Sequence, residues 1–331
     1  MQIFPTQHST LSATALGPHI SDLYNLGQLS GRLLLRGVSD TYVLTGTDKK
    51  YILKIYRDVH RKKEEILSEV ELLNQLRAGG AAVSYPLADR QGQFLLPLQA
   101  AEGLRWGVVF TFAEGKPAMF PTAEQLATTG REMAKLHNIT SGVKLPYPRK
   151  GYDHDTIFRQ PVTVLEPAFA EMPDEYRQLQ EQADKAIRQL DALGIDQFPT
   201  GYIQYDFLPK NFHFDAQDQL TFFDFDFAGR GVIANDLMTY WVHFALHAVL
   251  GRQTKEKSDI DFQVFLDAYT AVRPLSDAEI KALPWLHVGF WIFYMAFNYE
   301  HFDDFSSQYF NNGFLRERVN IIKKILDVYA V

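Results

Sequence analysis

The stretch GYIQYDFLPKNFHFD, residues 201–215, places Asp206 and Asn211 five positions apart in a mainly aromatic and apolar run. The stretch LTFFDFDFAGRG, residues 220–231, follows and adds Asp224. Burying a carboxylate among apolar side chains costs free energy unless a partner or a cation compensates it. We therefore expect that this part of the chain carries chemistry.

The local pattern predicts a loop and a hairpin that bring these three residues together. Pro209 excludes a helix interior and a central strand at its position, so we expect residues 204–210 to form a loop. The runs FHF and LTFFD flank the turn DAQDQ and predict two antiparallel strands that place Asp224 next to Asn211. One carboxylate and one amide oxygen suit Mg²⁺, which usually keeps waters and substrate phosphates, and the remaining carboxylate is free to act on a hydroxyl proton. Taken singly, each residue would instead cap a turn or end a strand.

Composition limits the class of function. A chain of 331 residues is long for one core, so we expect two lobes. The formal net charge is −7 and the one obvious basic cluster is RDVHRKK, residues 57–63, so nucleic-acid binding is disfavoured. The chain has no cysteine, which excludes disulfides, thiolate metal ligands and cysteine nucleophiles.

The apolar segments predict buried helices. The start MQIFPTQHSTLSATAL lacks the basic segment and apolar core of a secretory signal. The longest apolar runs, LMTYWVHFALHAVLG and LHVGFWIFYMAFNY, are shorter than a membrane span and are interrupted by His or Asn. We therefore expect no membrane association and a cytoplasmic location, and the oligomeric state is left open.

The N-terminal part has the pattern of a small sheet with one inserted helix. A helical pattern over residues 11–24 is followed by short β-branched or aromatic runs that Gly and Asp interrupt. The predicted strands are RLLLRG, TYVLTG, KKYILKIYRD, QFLLPLQA and RWGVVFTFAE. A helix over residues 61–77 separates the third strand from the fourth. After AEGKP the chain becomes mostly helical, so we place the lobes at residues 1–113 and 114–331.

Two unusual placements predict an ion pair in the N-terminal lobe. Lys54 lies among apolar residues of a predicted strand, where the alternative is an edge strand with its ammonium group extending to water. The apolar residues of the following helix form one stripe, and Glu69 falls inside it whereas Glu71 projects away. Glu65 lies in the first turn, where the helix dipole favours a carboxylate. Glu69 is therefore the acid expected to face the sheet and pair with Lys54.

Together these residues resemble the aminoglycoside phosphotransferase and choline-kinase-like family, whose members are relatives of the eukaryotic protein kinases. In that family a loop of His-Gly-Asp, four residues and Asn precedes a run such as Ile-Asp-Phe. Here residues 204–206 are Gln-Tyr-Asp, Asn211 has the expected spacing, and Asp224 opens DFDFAGRG. The resemblance covers about residues 31–240. It implies an α+β, two-lobed protein-kinase-like fold with a small N-terminal antiparallel-sheet lobe and a larger, mainly helical C-terminal lobe.

The resemblance also implies roles for single residues, with ATP and Mg²⁺ as cofactors. Asp206 is similar to the catalytic Asp that orients or deprotonates the acceptor hydroxyl, and Asn211 and Asp224 are similar to the Mg²⁺ ligands. Asp236 matches an aspartate that we expect to be structural. The resemblance implies three groups of nucleotide-binding residues. Lys54, with its partner Glu69, contacts the phosphates, and Ser39 and Asp40 belong to the covering loop. The hinge is formed by Thr111, Phe112 and Ala113.

The loop before Asp206 departs from the family pattern at residues 204 and 205. Gln204 replaces the family histidine that braces the loop, a role that an amide can share, and Tyr205 replaces a smaller Gly. A nucleotide-binding pseudokinase is therefore an alternative. A Ser/Thr protein kinase is another, although about ten residues between Asp224 and Asn235 leave little room for an activation segment.

The acceptor is expected to be a small hydroxyl compound: an amino alcohol, an amino acid, a sugar or an aminoglycoside. In the family, the helices after Asp236 form the walls of the acceptor site. Acidic groups there would suit an amine, and aromatic faces would suit a cation or a flat ring. The alternative is that the aromatic residues are core and that EHFDDF is a solvated turn. The candidate acceptor residues are Trp241, Glu300, Asp303 and Asp304.

Overall fold

Two units make up the protein in a computed structural model that describes residues 4–330. Unit 1 holds the residues up to Glu114 together with Leu145–Pro148. Unit 2 holds Gly115–Lys144 and the residues from Arg149 onward. The predicted nucleotide-binding residues lie in unit 1, and the predicted catalytic, metal and acceptor residues lie in unit 2.

Unit 1 is built on one antiparallel sheet of five strands, in the order β1-β2-β3-β5-β4. Its elements are α1 (Ala13–Tyr24), β1 (Ser30–Arg36), β2 (Ser39–Thr45), β3 (Lys50–Tyr56), α2 (Lys63–Ala78), β4 (Leu96–Ala100) and β5 (Gly103–Thr111). β2 and β3 form a hairpin, in which Thr45 pairs with Lys50 and the Gly46 N–H donates to the Lys49 carbonyl over 2.9 Å. The predicted order of elements is therefore found in this unit.

The core of unit 1 forms where apolar faces of α1 and the sheet meet. Ile20 of α1, Tyr42 of β2 and Leu53 of β3 belong to one buried cluster. On α2, Glu69 is 1% exposed, whereas Glu65 and Glu71 are only partly buried, as the helical wheel predicts. The amphipathic pattern thus correctly identifies the acid that points inward.

A buried ion network joins three strands and the connection after β3 in unit 1. Asp40 of β2 is fully buried and its two carboxylate oxygens each accept a hydrogen bond of 2.8 Å, from Arg57 Nη2 and from Arg105 Nη2. Arg105 of β5 also donates through Nε to the Tyr56 carbonyl over 3.1 Å and through Nη2 to the Ile55 carbonyl over 3.0 Å. One carboxylate therefore compensates two buried guanidinium groups, which are costly to bury alone.

Removal of that carboxylate is expected to destabilise the protein strongly. In Asp40→Ala two buried cations lose this shared carboxylate, so the free energy of unfolding should fall by about 3–5 kcal/mol. The measurement is urea denaturation followed by circular dichroism. The control is Asp58→Ala, because the Asp58–Lys62 pair is solvent-exposed and such pairs contribute little. Equal effects of the two substitutions would contradict the assigned role of Asp40.

Unit 2 is mainly helical and carries two small sheets. Its helices are α3 (Ala123–Thr140), α4 (Gln160–Leu165), α5 (Pro173–Ala192), α6 (Ala234–Val249), α7 (Lys255–Thr270), α8 (Asp277–Glu300) and α9 (Asn312–Tyr329). Its strands are β6 (Gly151–Tyr152), β7 (Thr200–Ile203), β8 (Phe212–Phe214), β9 (Leu220–Phe222) and β10 (Gly229–Val232). β8 and β9 are the predicted hairpin, and β10 lies between β6 and β7. The β6-β10-β7 sheet was not predicted, because strands of two to four residues show too little alternation.

Helix α8 contains the apolar run that was expected to be a buried helix. Ser276 caps its start: the Ser276 Oγ accepts from the Glu279 N–H over 3.2 Å, and the Glu279 carboxylate accepts from the Ser276 N–H over 2.9 Å. With 24 residues, α8 is long and apolar enough to cross a membrane, a longer element than the apolar run suggested. Length and composition are weak grounds for a membrane span, however, and 72% of its most apolar window is buried inside the protein. The helix packs against α5, α6 and α9, as a core helix does.

Two buried histidines in unit 2 predict that acid destabilises the fold. Burial lowers the pKa of His243 to about 4, aided by neighbouring His247, and burial lowers the pKa of His287 to about 4. Because both values lie below the value of an unfolded chain, near 6.5, only the unfolded state gains protons as pH falls through this window. Stability should therefore drop from about pH 6.5 to about pH 4, by roughly 2–3 kcal/mol for each histidine.

The measurement is urea denaturation at a series of pH values. In His243→Gln the loss of stability between pH 7 and pH 4.5 should be smaller than in the wild type, whereas substitution of the exposed His19 by Gln should leave the loss unchanged. A wild-type protein whose unfolding free energy is constant across this range would contradict the prediction.

Candidate active site

The loop that carries Asp206 is held by the first turns of α6. The Asp236 carboxylate accepts hydrogen bonds from the backbone N–H groups of Gln204 (2.9 Å) and Tyr205 (2.7 Å). The Thr239 Oγ1 accepts from the N–H of Phe207 over 3.1 Å. These contacts satisfy buried backbone donors of residues 204–207, which lie between β7 and a short 3₁₀ helix over Pro209–Asn211. They fit the expectation that Asp236 is structural.

Gln204, in the position of the family histidine, joins the loop to the segment that carries Asp224. Its Nε2 donates to the carbonyl of Phe223 over 2.6 Å and to that of Asp224 over 3.1 Å. The side chain is fully buried, so both hydrogen bonds form away from water. The amide thus performs the bracing that was expected of the histidine.

Tyr205 stands in the position of the family glycine and has left-handed backbone, with φ of 63°. Non-glycine residues rarely adopt that conformation, so the surroundings must compensate its cost. The Tyr205 ring is fully buried and stacks on Tyr152 with centroids 4.0 Å apart. Tyr152 is itself packed against β10: a Cβ added to Gly229 would lie 2.6 Å from its ring. Aromatic packing therefore accommodates the large residue.

Asp206 is 4% exposed and its two carboxylate oxygens differ. Oδ2 accepts from Asn211 Nδ2 over 2.8 Å and lies 3.0 Å from Lys210 Nζ. Oδ1 is buried without a hydrogen-bond partner. Burial raises the pKa of Asp206 to about 6; Lys210 opposes the rise, the negative charge of Asp224 adds to it, and Asn211 opposes it. A carboxylate with this pKa is well matched to accept a proton near neutral pH.

Asn211 and Asp224 are brought together by the hairpin, as predicted. The carbonyl of Asn211 accepts from the N–H of Phe223 over 2.9 Å, and Asp224 lies two residues beyond the last pair of the β8–β9 ladder. The Asp224 backbone is also left-handed, with φ of 62°. Since Asp224 influences the pKa of Asp206, the three predicted residues form one cluster in unit 2.

The donor groups of this cluster fit a hard divalent cation. Asn211 Nδ2 donates both to the carbonyl and to the Oδ2 of Asp206, each over 2.8 Å, which leaves the amide oxygen as the end of the side chain that can bind a further partner. An amide oxygen, the Asp224 carboxylate and the unpaired Asp206 Oδ1 are all hard oxygen donors. Residues 4–330 contain no cluster of three or more His, Asp or Glu that could hold a metal alone. A metal with few protein ligands, such as substrate-bound Mg²⁺, suits such a set.

In unit 1, the predicted Lys54–Glu69 pair is present. Lys54 Nζ lies 3.9 Å from Glu69 Oε1, and the two side chains are 10% and 1% exposed. Lys54 pairs with Val108 and Thr41 on the neighbouring strands, so β3 is a central strand and the edge-strand alternative is excluded. Glu69 thus compensates a cation that the sheet holds away from water.

Ser39 and Asp40, the residues predicted to cover the nucleotide, are both buried in β2. Asp40 requires a correction: Arg57 and Arg105 occupy both of its carboxylate oxygens, so the side chain is structural and is not available to a nucleotide. Ser39 is buried at the start of β2, where its carbonyl accepts from the Gly37 N–H over 3.1 Å.

The predicted hinge lies at the end of β5. The N–H of Thr111 donates to the Tyr85 carbonyl over 3.0 Å, and the carbonyl of Thr111 accepts from Ser84 Oγ over 2.6 Å. Phe112 and Ala113 follow without regular secondary structure outside the sheet, and Ala113 is buried. The backbone polar groups of Thr111 are therefore already used within unit 1.

A cavity of about 260 Å³ adjoins Asp206 within unit 2. Its walls come from the loop that carries Asp206, from α6, α8 and α9 and from the connection between α8 and α9, and many of its residues are aromatic. They include Phe290, Trp291, Tyr294, Tyr309 and Phe314. A cavity that adjoins a buried carboxylate is a candidate site for a small molecule.

None of the four predicted acceptor residues lines this cavity. Trp241 is buried against the rings of His287 and Tyr329 and borders a separate cavity of about 610 Å³. Glu300 and Asp303 are exposed at and after the end of α8, and Asp304 is partly exposed in the turn that follows. These helices do face the cavity, but through residues one to three turns earlier on α8, and a local acidic pattern cannot reveal which turn faces inward.

Several residues that build the site were not predicted. His137 of α3 places Nε2 3.1 Å from Asp236 Oδ2 and Nδ1 2.8 Å from the Tyr269 hydroxyl. Thr239, Lys210 and Arg318 were missed as well. Lys210 offered a signal, since it lies four residues after Asp206 and directly before Asn211, whereas His137 and Arg318 come from distant helices.

Comparison with known sequences identifies relatives over most of the chain. The model of a family described as phosphotransferase enzyme family matches residues 30–275. A homoserine kinase of Agrobacterium fabrum is 26% identical over 268 residues, which cover 80% of this chain and 79% of that protein.

Solved structures with the same fold span nearly the whole chain. An amicoumacin kinase in complex with AMP-PNP, Ca²⁺ and Ami has a TM-score of 0.75 at 19% identity, covering 95% of this chain and 92% of its own. A microcompartment-associated aminopropanol kinase has a TM-score of 0.73 at 21% identity, covering 94% of each chain. These likenesses confirm the predicted fold class.

Proposed function

The chain belongs to the phosphotransferase enzyme family, and we propose that it moves the γ-phosphate of ATP, with Mg²⁺ as the metal, to a hydroxyl group of a small molecule. The sequence relative named above is a homoserine kinase, and a structural neighbour binds AMP-PNP and Ca²⁺. An amino acid, an amino alcohol or a related small hydroxyl compound is therefore the acceptor class that we propose.

The proposed reaction asks the chain for positioning and for one proton transfer. The acceptor oxygen forms a bond to the γ-phosphorus, and the bond from that phosphorus to the β–γ bridging oxygen breaks. ADP leaves with the electron pair, and the hydroxyl proton passes to Asp206. In unit 1, Lys54, which Glu69 holds, would contact phosphate oxygens of the bound nucleotide. Mg²⁺, which Asn211 and Asp224 would hold, neutralises phosphate charge when bound.

The observation that carries the proposal is the state of Asp206: a buried carboxylate with one unpaired oxygen beside a cavity. The experiment is a screen of hydroxyl metabolites with radiolabelled Mg·ATP, covering amino acids, amino alcohols, sugars and aminoglycosides. We expect label transfer to one of these classes and none after chelation of the divalent metal. Hydrolysis of ATP without transfer to any compound would contradict the proposal.

The same assay separates the alternatives. A pseudokinase would bind Mg·ATP and transfer nothing, but Gln204 braces the loop, which supports catalysis. A protein kinase would need a long activation segment after Asp224, whereas residues 229–232 form β10 inside a sheet. Transfer to a protein such as casein, in place of any small molecule, would favour the protein kinase.

A further inference from the structure

The cavity beside Asp206 has an unusual balance of charge for a site expected to hold an amine. Of the residues that line it, one is acidic, Asp206, and two are cationic, Lys210 and Arg318. Lys210 lies 3.0 Å from the Asp206 carboxylate, so these two charges largely offset each other. Arg318 is the cation that remains for a ligand.

Arg318 is held in a position suited to anion recognition. Its guanidinium lies over the ring of Trp291 (5.0 Å to the centroid) and over that of Phe314 (4.7 Å). Its side chain is 24% exposed, and its neighbour Glu317, 3.4 Å away, is 62% exposed, so this ion pair is weak in water. Burial lowers the pKa of Arg318, and the charge of Glu317 opposes this effect. A carboxylate is the natural partner of such a planar donor group.

Other polar atoms of the cavity point to the same kind of ligand. Trp291 Nε1 is a buried donor without a hydrogen-bond partner, and Asp206 Oδ1 is a buried acceptor without one. The amide of Asn298 is already used, because its Nδ2 donates to the Tyr294 carbonyl and its Oδ1 accepts from the Tyr309 hydroxyl, each over 2.8 Å. A ligand that satisfies these groups carries a hydroxyl for Asp206 and an anionic acceptor group for Arg318 and Trp291.

The size of the cavity sets a further limit. At about 260 Å³ it is smaller than the roughly 300–1,000 Å³ of sites that hold drug-sized ligands. A polycationic aminoglycoside of several rings matches neither this volume nor the charge of Arg318. A small hydroxy acid matches both.

We propose that the acceptor is a small hydroxy acid, including hydroxyl-bearing amino acids, and that Arg318 selects it by binding the carboxylate. This inference rests on the proposed function, whose hydroxyl acceptor it specifies. Asp206 acts on the reacting hydroxyl, and Arg318 binds the carboxylate of the same acceptor. Arg318 is therefore a specificity residue. Neutral alcohols and amides of the same shape leave its charge unpaired and are rejected for that reason.

The test compares matched acceptors with and without the carboxylate. ADP release is measured with L-homoserine, L-serine and the primary amide of each, at fixed Mg·ATP, for wild type, Arg318→Met, Arg318→Lys and Arg316→Met. Arg316 is the matched control because it lies on the same helix, pairs with Glu175 and does not line the cavity. Thermal denaturation verifies that each variant folds.

We expect the wild type to prefer an acid over its amide by about 10- to 100-fold in kcat/KM, the effect of a charged hydrogen bond. Arg318→Met should abolish this preference by lowering kcat/KM for the acid alone, Arg318→Lys should retain part of it, and Arg316→Met should retain it fully. Equal use of acids and amides by the wild type, or an equal loss for both in Arg318→Met, overturns the inference. Preferential use of sn-glycerol 3-phosphate overturns it in favour of a phosphate-bearing acceptor.

Calorimetry with the same compounds in the presence of AMP-PNP separates this inference from the proposed function. Arg318-dependent binding of acids without any turnover would sustain the role of Arg318 and reject phosphoryl transfer. Turnover of neutral compounds only would sustain phosphoryl transfer and reject the role of Arg318.

Discussion

Asp206→Asn is expected to lower kcat by about 10³- to 10⁴-fold, a rise of roughly 4–6 kcal/mol in the activation barrier. An asparagine at this position keeps the shape of the side chain but cannot accept the hydroxyl proton. Because burial raises the pKa of Asp206 to about 6, the native carboxylate is costly to keep charged, and an amide there should not destabilise the fold. The loss should therefore appear in kcat, with the affinity for Mg·ATP unchanged.

Steady-state kinetics with the acceptor found by screening, together with Mg·ATP binding by calorimetry, make the measurement. Asp196→Asn is the control, since Asp196 is an exposed aspartate shortly before β7. Full activity of Asp206→Asn would exclude Asp206 as the base. A lower melting temperature of Asp206→Asn, accompanying its loss of activity, would indicate a structural role.

The second large effect is expected at Asp224. Asp224→Asn removes a charged ligand from the proposed metal site, so Mg·ATP should bind more weakly and turnover should fall by about 10²- to 10³-fold. Asparagine tolerates the left-handed backbone with φ of 62°, so the substitution tests charge and leaves the turn intact. Because the defect lies in metal binding, higher Mg²⁺ concentrations should restore part of the rate.

The control for this prediction lies in the same hairpin. Asp218 is also an aspartate with left-handed backbone, φ of 54°, but it is exposed in the turn between β8 and β9. Asp218→Asn should leave both the Mg²⁺ dependence and the rate as in the wild type. If Asp224→Asn binds Mg·ATP as tightly as the wild type and turns over equally fast, Asp224 is not a metal ligand.

The departures from the family pattern at 204 and 205 are compensated in different ways. Gln204 replaces one polar brace by another and reaches two carbonyls of the Asp224 segment. Tyr205 keeps the backbone conformation that a glycine would adopt, and its ring is fixed by stacking on Tyr152. A local motif can therefore lose its usual residues where the surrounding core supplies the same constraints.

Much of the fold and the centre of the site could be predicted from local pattern. The five strands and α2 of unit 1 follow from alternation and helical periodicity, and the wheel identified Glu69 as the buried acid. The spacing of Asp206, Asn211 and Asp224 defined a loop and a hairpin, and local chain geometry is enough to bring such residues together. Spacing of this kind is a property of the sequence itself.

Only the tertiary structure decided the rest. Asp40 lies in a stretch that resembles a nucleotide-covering loop, yet Arg57 and Arg105, 17 and 65 residues away in sequence, use both of its oxygens. The cavity that we propose for the acceptor joins Asp206 to Trp291 and Arg318 on two later helices, and the acids that follow α8 do not line it. Which turn of a helix faces a cavity depends on how distant helices pack, because side chains separated by many residues meet only through long-range contacts. The sequence by itself determined the chemistry that is local to one hairpin, and packing determined which charges surround it.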